Sequence, residues 1–470
     1  MHKQSDLKDN QNDAIDRLFD QDETLLIAPK GFGKCVVAFT AMKDLIDDGV
    51  LKRILVLSTA QVCSRVWDFE ARQWDHLKDM DYVCLTGSTI EQREKLIAEN
   101  SPIVICNFEL LPWLLDKYPK KTFPFDGLLV DEITKLKSVG GVGFKKLRTK
   151  TKFLKWSVGM TADPVAQEQM EIYGQMLIID QGTRLGRNKE NFQRKYFMQM
   201  DYMGNNWQPQ PGGLARLAKV LSDVIYTVDS TDYEDSLPEL IDIEVPVILP
   251  DATRQYYEEM LKHNFVYINH QPLEAANAAI LQSKLFQMCC GSVIWTPEDD
   301  KFVEGKLPKK KIIYLHDVKM RALDRLLKTI DTPVLISYQF TFQREALEKK
   351  YNAPVFSASN SKKVSDDMLT SWNDGTLPIM LVHSKSAAHG LNLQYGPGFS
   401  LIMLSYLWSA DEWGQLIARL RRRGQKSKIV NRYTIFCKDT VEDCVMKPRL
   451  DSRDESSEIF HSYIKSNKFN

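Results

Sequence analysis

The sequence predicts an α/β protein made of two parallel-sheet lobes with helical insertions between them. Short apolar runs alternate with amphipathic stretches in the first third of the chain, and the same alternation returns from about residue 312. The stretch between them is mostly helical in pattern. Strand–helix alternation implies parallel pairing with both sheet faces covered. A length of 470 residues also exceeds what one compact core organises, so two domains with attached insertions are expected.

In chain order, the first lobe should hold strands at Thr24–Ile27, Ile54–Leu57, Tyr82–Leu85, Ile103–Cys106, Gly127–Val130 and Ser157–Met160. Helical patterns lie between them, as at Val36–Asp47 and Ser64–Trp74. From about 165 to 305 strand signals are few, and Arg254–Asn264 and Leu273–Met288 read as helices. Ser230–Pro238 is acidic, ends in proline and reads as a connector. The second lobe should hold strands at Val334–Tyr338, Pro378–His383, Ser400–Ser405 and Val430–Phe436, with helices at Thr341–Lys350, Ser365–Asn373 and Asp411–Arg422. The expected divisions are 1–165 (first lobe), 166–305 (helical protrusions and linker), 306–445 (second lobe) and 446–470 (a charged C-terminal extension).

Lysine and arginine total 62 and so do aspartate and glutamate. With no net basicity, any track for a polyanion must be local. Basic residues gather at Lys135, Lys137, Lys145, Lys146, Arg148, Lys150, Lys152 and Lys155, and again at Lys306, Lys309, Lys310 and Lys311. The eight cysteines form no C-x-x-C pair and no zinc spacing, which fits reduced thiols. Met1 to Gln11 is too polar for a signal peptide, and no apolar run reaches the roughly 20 residues that cross a bilayer. A cytoplasmic location without membrane contact is therefore expected.

Ala28-Pro29-Lys30-Gly31-Phe32-Gly33-Lys34-Cys35 follows an apolar strand and precedes an apolar helix. That is the setting a phosphate loop requires. Gly31 and Gly33 let backbone amides approach phosphate oxygens, Lys34 supplies charge, and the helix N-terminus adds its partial positive end. Lys30 lies in the same loop. Cys35 stands where a Ser or Thr hydroxyl ordinarily meets Mg²⁺, and a thiol is a poor ligand for so hard a cation. Either water fills that position or turnover is weakened. Asp131 and Glu132 close the apolar run Gly127-Leu128-Leu129-Val130. Carboxylates at such a strand end suit Mg²⁺ binding (Asp131) and the orienting or deprotonation of a water (Glu132).

Asp131-Glu132-Ile133-Thr134-Lys135-Leu136-Lys137 resembles the "DESSKLKN" box of short phage and prophage members of the Swi/Snf branch of superfamily-two helicases. Further motifs match in order. Gln11 corresponds to that family's adenine-reading glutamine. Leu57-Ser58-Thr59-Ala60 with Val66-Trp67 is similar to its motif Ia. Met160-Thr161-Ala162-Asp163-Pro164 occupies the place of "LTGTP", departing from it at Ala162 and Asp163. His389-Gly390-Leu391-Asn392-Leu393-Gln394 is similar to motif V. Gln415-Leu416-Ile417-Ala418-Arg419-Leu420-Arg421-Arg422-Arg423-Gly424-Gln425 fits motif VI. Helical spacing would set Gln415, Arg419 and Arg422 on one face.

The resemblance spans about residues 7–445 and implies two RecA-like lobes, ATP and Mg²⁺ as cofactors, and double-stranded DNA as partner. It implies nucleotide contacts from Gln11, Lys30, Gly31, Gly33, Lys34, Cys35, Gly390 and Gln415, and catalytic roles for Asp131, Glu132, Arg419 and Arg422, with Arg422 the finger. For a phage-encoded chain the compartment would be the bacterial host cytoplasm. An ATP-binding DNA clamp or interaction module with degraded catalysis and an RNA-dependent helicase remain alternatives, and a protein partner such as a separate nuclease or replication factor is left open.

Overall fold

In a computed structural model of the chain, residues 1–60, 62–118, 123–136, 138–165, 169–202, 204, 207–228, 237–296, 310–357, 360–384 and 393–451 are described. The chain divides into two compact units, residues 1–235 and 236–452. The middle stretch 166–305 is thus shared between them rather than standing apart. The connector Ser230–Pro238 lies almost wholly outside the described residues.

The first unit contributes β1 (Glu23–Ile27), β2 (Ile54–Ser58), β3 (Tyr82–Cys84), β4 (Ile103–Asn107), β5 (Gly127–Asp131), β6 (Trp156–Thr161), a hairpin of β7 (Phe197–Gln199) and β8 (Trp207–Pro209), and β9 (Ile225–Thr227). Seven of these form one sheet in the order β3-β4-β2-β5-β6-β1-β9, parallel at every step. Alternate residues of each strand feed opposite cores. Leu25, Leu55, Val104 and Leu128 pack on one face, and Leu26, Val56, Ile105 and Leu129 on the other. Two-sided burial is why these strands read as unbroken apolar runs.

The second unit holds β10 (Glu239–Val247), the hairpin β11 (Phe265–Ile268) and β12 (Gln271–Glu274), β13 (Ser292–Trp295), β14 (Lys311–Tyr314), β15 (Val334–Tyr338), β16 (Val355–Phe356), β17 (Ile379–His383), β18 (Ser400–Met403) and β19 (Ile429–Cys437). Its main sheet runs β10-β19-β18-β15-β17-β16, again parallel. Leu335, Met380, Leu401 and Val430 fill one face; Ile336, Leu381, Ile402 and Ile435 fill the other.

Two expectations are corrected here. The stretch 165–305 is richer in strands than its sequence suggests, because β9 and β10 join the two main sheets. Among the described residues β10 is an edge strand pairing only with β19, with Asp242, Glu244 and Pro246 in it. An edge position tolerates charge and proline, which erases the apolar signature. Second, Leu273–Met288 is not one helix. It splits into β12 and the helix Ala278–Cys289, whose start is fixed by the Asn277 side chain accepting from the Ile280 amide.

His316 is buried between these layers. Its Nε2 lies 2.9 Å from the Met288 carbonyl oxygen, while Nδ1 finds no hydrogen-bond partner among the described residues. Burial pushes its pKa down to about 4, with the nearby Lys319 ammonium acting in the same direction. The native state therefore favours neutral imidazole. That stability is fully present above the unfolded value of about 6.5 and is lost as pH falls towards 4. The shift corresponds to roughly 3 kcal/mol. We expect His316→Gln, whose amide can still donate to Met288, to flatten this part of the pH profile. Urea unfolding of both proteins at pH 7 and pH 4 checks it. An identical drop in the two would show that His316 is not responsible.

Candidate nucleotide site

β1 delivers the chain into the loop 28–33, and the helix Lys34–Asp47 leaves it. Gly31 and Gly33 have φ of 84° and 96°, in the left-handed region that favours glycine. A Cβ at Gly33 would sit 2.6 Å from Gln11 Nε2 and push that side chain aside. Gln11 braces the loop. Its Nε2 donates to the Phe32 carbonyl at 2.8 Å, and its Oε1 accepts from the Lys8 amide at 3.0 Å. Lys34 Nζ lies back over the loop, donating to the Ala28 and Pro29 carbonyls at 2.9 and 3.3 Å. Lys30 and Cys35 are half-buried beside it.

β5 ends at Asp131, separated from β1 in the sheet only by β6. All three strands are parallel, so the acidic end and the glycine loop share the carboxyl edge. Asp131 is 5% exposed and accepts from Ser58 Oγ at 2.8 Å. Burial pushes its pKa up; the Lys34 ammonium, the Ser58 hydroxyl and the Glu132 backbone oppose that push. The Lys34 and Asp131 side chains are therefore electrostatic neighbours. Glu132 follows at φ 57°, a conformation costing a non-glycine residue about 1–3 kcal/mol. The half-buried carboxylate is held in that posture at the site rather than relaxing into the strand.

The donor set fits a triphosphate and one metal ion. Two glycines open the loop, a 14-residue helix points its N-terminus at it, and Lys34 faces Asp131. Asp131 offers oxygen to Mg²⁺, whereas the Cys35 thiol does not suit it.

Sequence reasoning assigned Ser58 only to motif Ia; its hydrogen bond to Asp131 emerges from the β2–β5 pairing. It left the acid in Ala162-Asp163 without a role. Asp163 Oδ1 accepts from the Val165 amide at 3.0 Å, and its own amide donates to Thr161 Oγ1 at 3.2 Å. The departure from the family pattern thus closes its own turn.

In the second unit the expected helix Asp411–Arg422 is corrected to Ala410–Ile417. Beyond it the chain tightens into a turn, with the Arg419, Leu420 and Gln425 amides donating three residues back at 3.2, 3.0 and 3.1 Å. Leu420 is fully buried, and Gly424 has φ 90°. Anchoring Leu420 while reversing direction ends the helix, so Gln415 sits on it and Arg419 and Arg422 lie in the turn. Gln415 is buried; Arg419 and Arg422 are half-buried. Arg421 is structural, its Nε donating to the Pro238 carbonyl at 2.9 Å.

The motif V residues His389, Gly390 and Asn392 lie outside the described residues. A polar cluster missed in the sequence sits where β15 and β17 end. Ser337 and Ser384 hydroxyls are 2.8 Å apart, and His383 Nε2 is 3.0 Å from the Gln339 carbonyl. Two apolar strands each running into Ser, His or Gln were the available signal.

A glycine loop beside an acidic strand end on a parallel sheet, followed by a second parallel-sheet unit, defines a phosphate-loop α/β protein with two RecA-like lobes. The chain belongs to the SNF2-related family: the SNF2-related domain matches residues 10–292. Protein p41 of Acyrthosiphon pisum secondary endosymbiont phage 1 is 30% identical over 455 residues, covering 93% of this chain and 94% of p41. Bacillus subtilis YqhH, named an uncharacterized ATP-dependent helicase, is 22% identical over 90% of this chain and 74% of its own length. The nuclear protein STH1/NPS1 of Saccharomyces cerevisiae is 23% identical over 54% of this chain and 20% of its own length. Among solved structures, the Sulfolobus solfataricus SWI2/SNF2 ATPase core in complex with dsDNA aligns with a TM-score of 0.43 at 18% identity, over 99% of this chain and 95% of that one. No helix among the described residues is long and apolar enough to cross a membrane.

Proposed function

We propose that this protein is a DNA-dependent ATPase that translocates on double-stranded DNA in the cytoplasm, its two lobes closing and opening around ATP. The observation carrying this is the Lys34 loop set beside Asp131 and Glu132 at one sheet edge. ATP supplies the scissile phosphoanhydride and Mg²⁺ the charge that steadies its oxygens. Gly31, Gly33 and the helix N-terminus bind phosphate oxygens, with Lys30 flanking them, and Lys34 turns from its own carbonyls to neutralise them. Gln11 fixes the loop and reads the base. Asp131 holds the metal-side charge, and Glu132 orients the attacking water and takes its proton. Arg419 and Arg422 stabilise charge on the transferred phosphoryl group when the lobes close, with Gln415 and Gly390 alongside. We take the first unit as the ATP-binding lobe and the second as the closing lobe, with the parts of 166–305 outside β9 and β10 framing the duplex.

The test is phosphate release with duplex DNA, single-stranded DNA and RNA in parallel. Duplex stimulation supports the motor, RNA stimulation would make it an RNA helicase, and no stimulation would remove it. Cys35 favours a second reading, an ATP-binding clamp with weak turnover. We expect Cys35→Thr to raise Mg²⁺-supported kcat about five- to tenfold, the worth of one well-placed polar ligand of about 1 kcal/mol. A duplex-stimulated rate indistinguishable from Glu132→Gln would leave only the clamp.

A further inference from the structure

Two adjoining cavities of about 270 and 320 Å³ open on the first unit, sharing Arg148 and Arg187. One is lined by Arg148, Thr149, Thr151, Lys152, Gln181 and Arg187; the other adds Lys145 and Lys189 over Tyr173 and Leu177. Together they carry five cationic side chains against one acid, Glu190.

Several other acids of this unit are engaged elsewhere. Arg184 pairs with Glu23, Asp180 and Asp223 at 2.7, 3.4 and 2.8 Å. Lys146 is held by Asp116 at 2.6 Å, and Lys155 approaches Asp126. None of Lys145, Arg148, Lys152, Arg187 or Lys189 makes an ion pair among the described residues. Arg187 is steered by a hydrogen bond from its Nε to the Gln181 carbonyl at 3.2 Å. Gln181 itself sits at φ 58°, and hydrogen bonds within the loop 180–187 tie it down. Its base is the buried Asp180, which accepts from the Gly182 and Arg184 amides.

The trough is remote from the nucleotide loop. Residues 148–152 directly precede β6, and 180–187 follow the helix Ile172–Ile179 that returns from it. Both therefore mark the amino edge of the sheet, whereas Lys34 and Asp131 mark the carboxyl edge. Guanidinium groups and hydroxyls around two adjoining, acid-poor cavities suit successive phosphodiesters rather than a single carboxylate.

We propose that this trough is a second nucleic-acid contact, gripping the phosphate backbone of a duplex segment independently of nucleotide. The inference rests on the reading of the protein as a DNA motor, but its test does not require hydrolysis. Binding of a labelled duplex to the full chain is measured by anisotropy without nucleotide, across a salt series. For Arg148→Ala/Arg187→Ala, the slope of log K against log salt should shrink by about 2, near 0.9 per lost phosphate contact. Affinity near 0.1 M salt should fall at least tenfold. Lys145→Ala/Lys189→Ala, which removes only exposed side chains, should act in the same direction and guards against a folding artefact. Lys34→Ala should leave the trough's contribution intact. Basal ATP hydrolysis without DNA should be unchanged in both trough variants.

An unchanged slope in both variants would overturn the proposal. So would inorganic pyrophosphate displacing the duplex at equal phosphate concentration, which would mark a free-anion pocket. A reduced slope in a protein whose hydrolysis ignores DNA would keep the trough and sink the motor.

Discussion

Glu132→Gln will remove DNA-stimulated ATP hydrolysis, lowering kcat by roughly 10²–10⁴-fold, the usual worth of a positioned general base. Glutamine preserves shape and hydrogen-bonding reach, so nucleotide affinity should stay within a few-fold of the parent. The backbone supports that separation. Glu132 sits at φ 57° immediately after buried Asp131, and the substitution leaves Asp131, Ser58 and Lys34 in place. Phosphate release at saturating duplex, together with binding of a fluorescent ATP analogue, measures both quantities. A variant within tenfold of the parent rate would mean that another group prepares the water.

Arg422→Ala should cost about 10³-fold or more in kcat, the lower range for an arginine that stabilises a phosphoryl group in flight. The turn provides an internal comparison. Arg421, next in sequence, ties the turn to the Pro238 carbonyl. Its loss should lower stability by about 1–2 kcal/mol and change kcat little. Single-turnover hydrolysis of the two variants, with denaturant melts alongside, separates chemistry from folding. If Arg419→Ala takes the loss instead, the two arginines exchange roles. If neither variant slows hydrolysis, the second lobe does not complete the site.

What could be read in advance was governed by burial. Six strands of the first sheet were visible because both their faces are covered, so Leu25 to Ile27 or Ile54 to Leu57 are apolar without interruption. β10 was hidden because one edge meets no other strand, and its acids and proline resemble a linker. The glycine loop and the acidic strand end of the candidate site were legible because glycines, lysine and paired acids are local words in the chain. Ser58 on Asp131 and Asp163 closing its own turn were not, because each depends on pairing or backbone angles that composition does not encode. The arginine turn was misread as helix, since Leu420 and the arginines suit helical periodicity until Leu420 must be buried and Gly424 reverses the chain.

Among the described residues the opening strand of the second unit pairs with a single strand, and that neighbour is the unit's closing strand. β10 and β19 run side by side over nine residue pairs, and Arg432 clasps Asp242 across 190 residues of chain. During synthesis, then, the ladder edges of β10 and β18 that β19 joins stay unpaired until residues 429–437 have emerged. Closing so long a span before the β10–β19 pairing rewards it is expected to slow the assembly of this half. A ribosome stalling a few dozen codons early would release a half-sheet with unpaired edges.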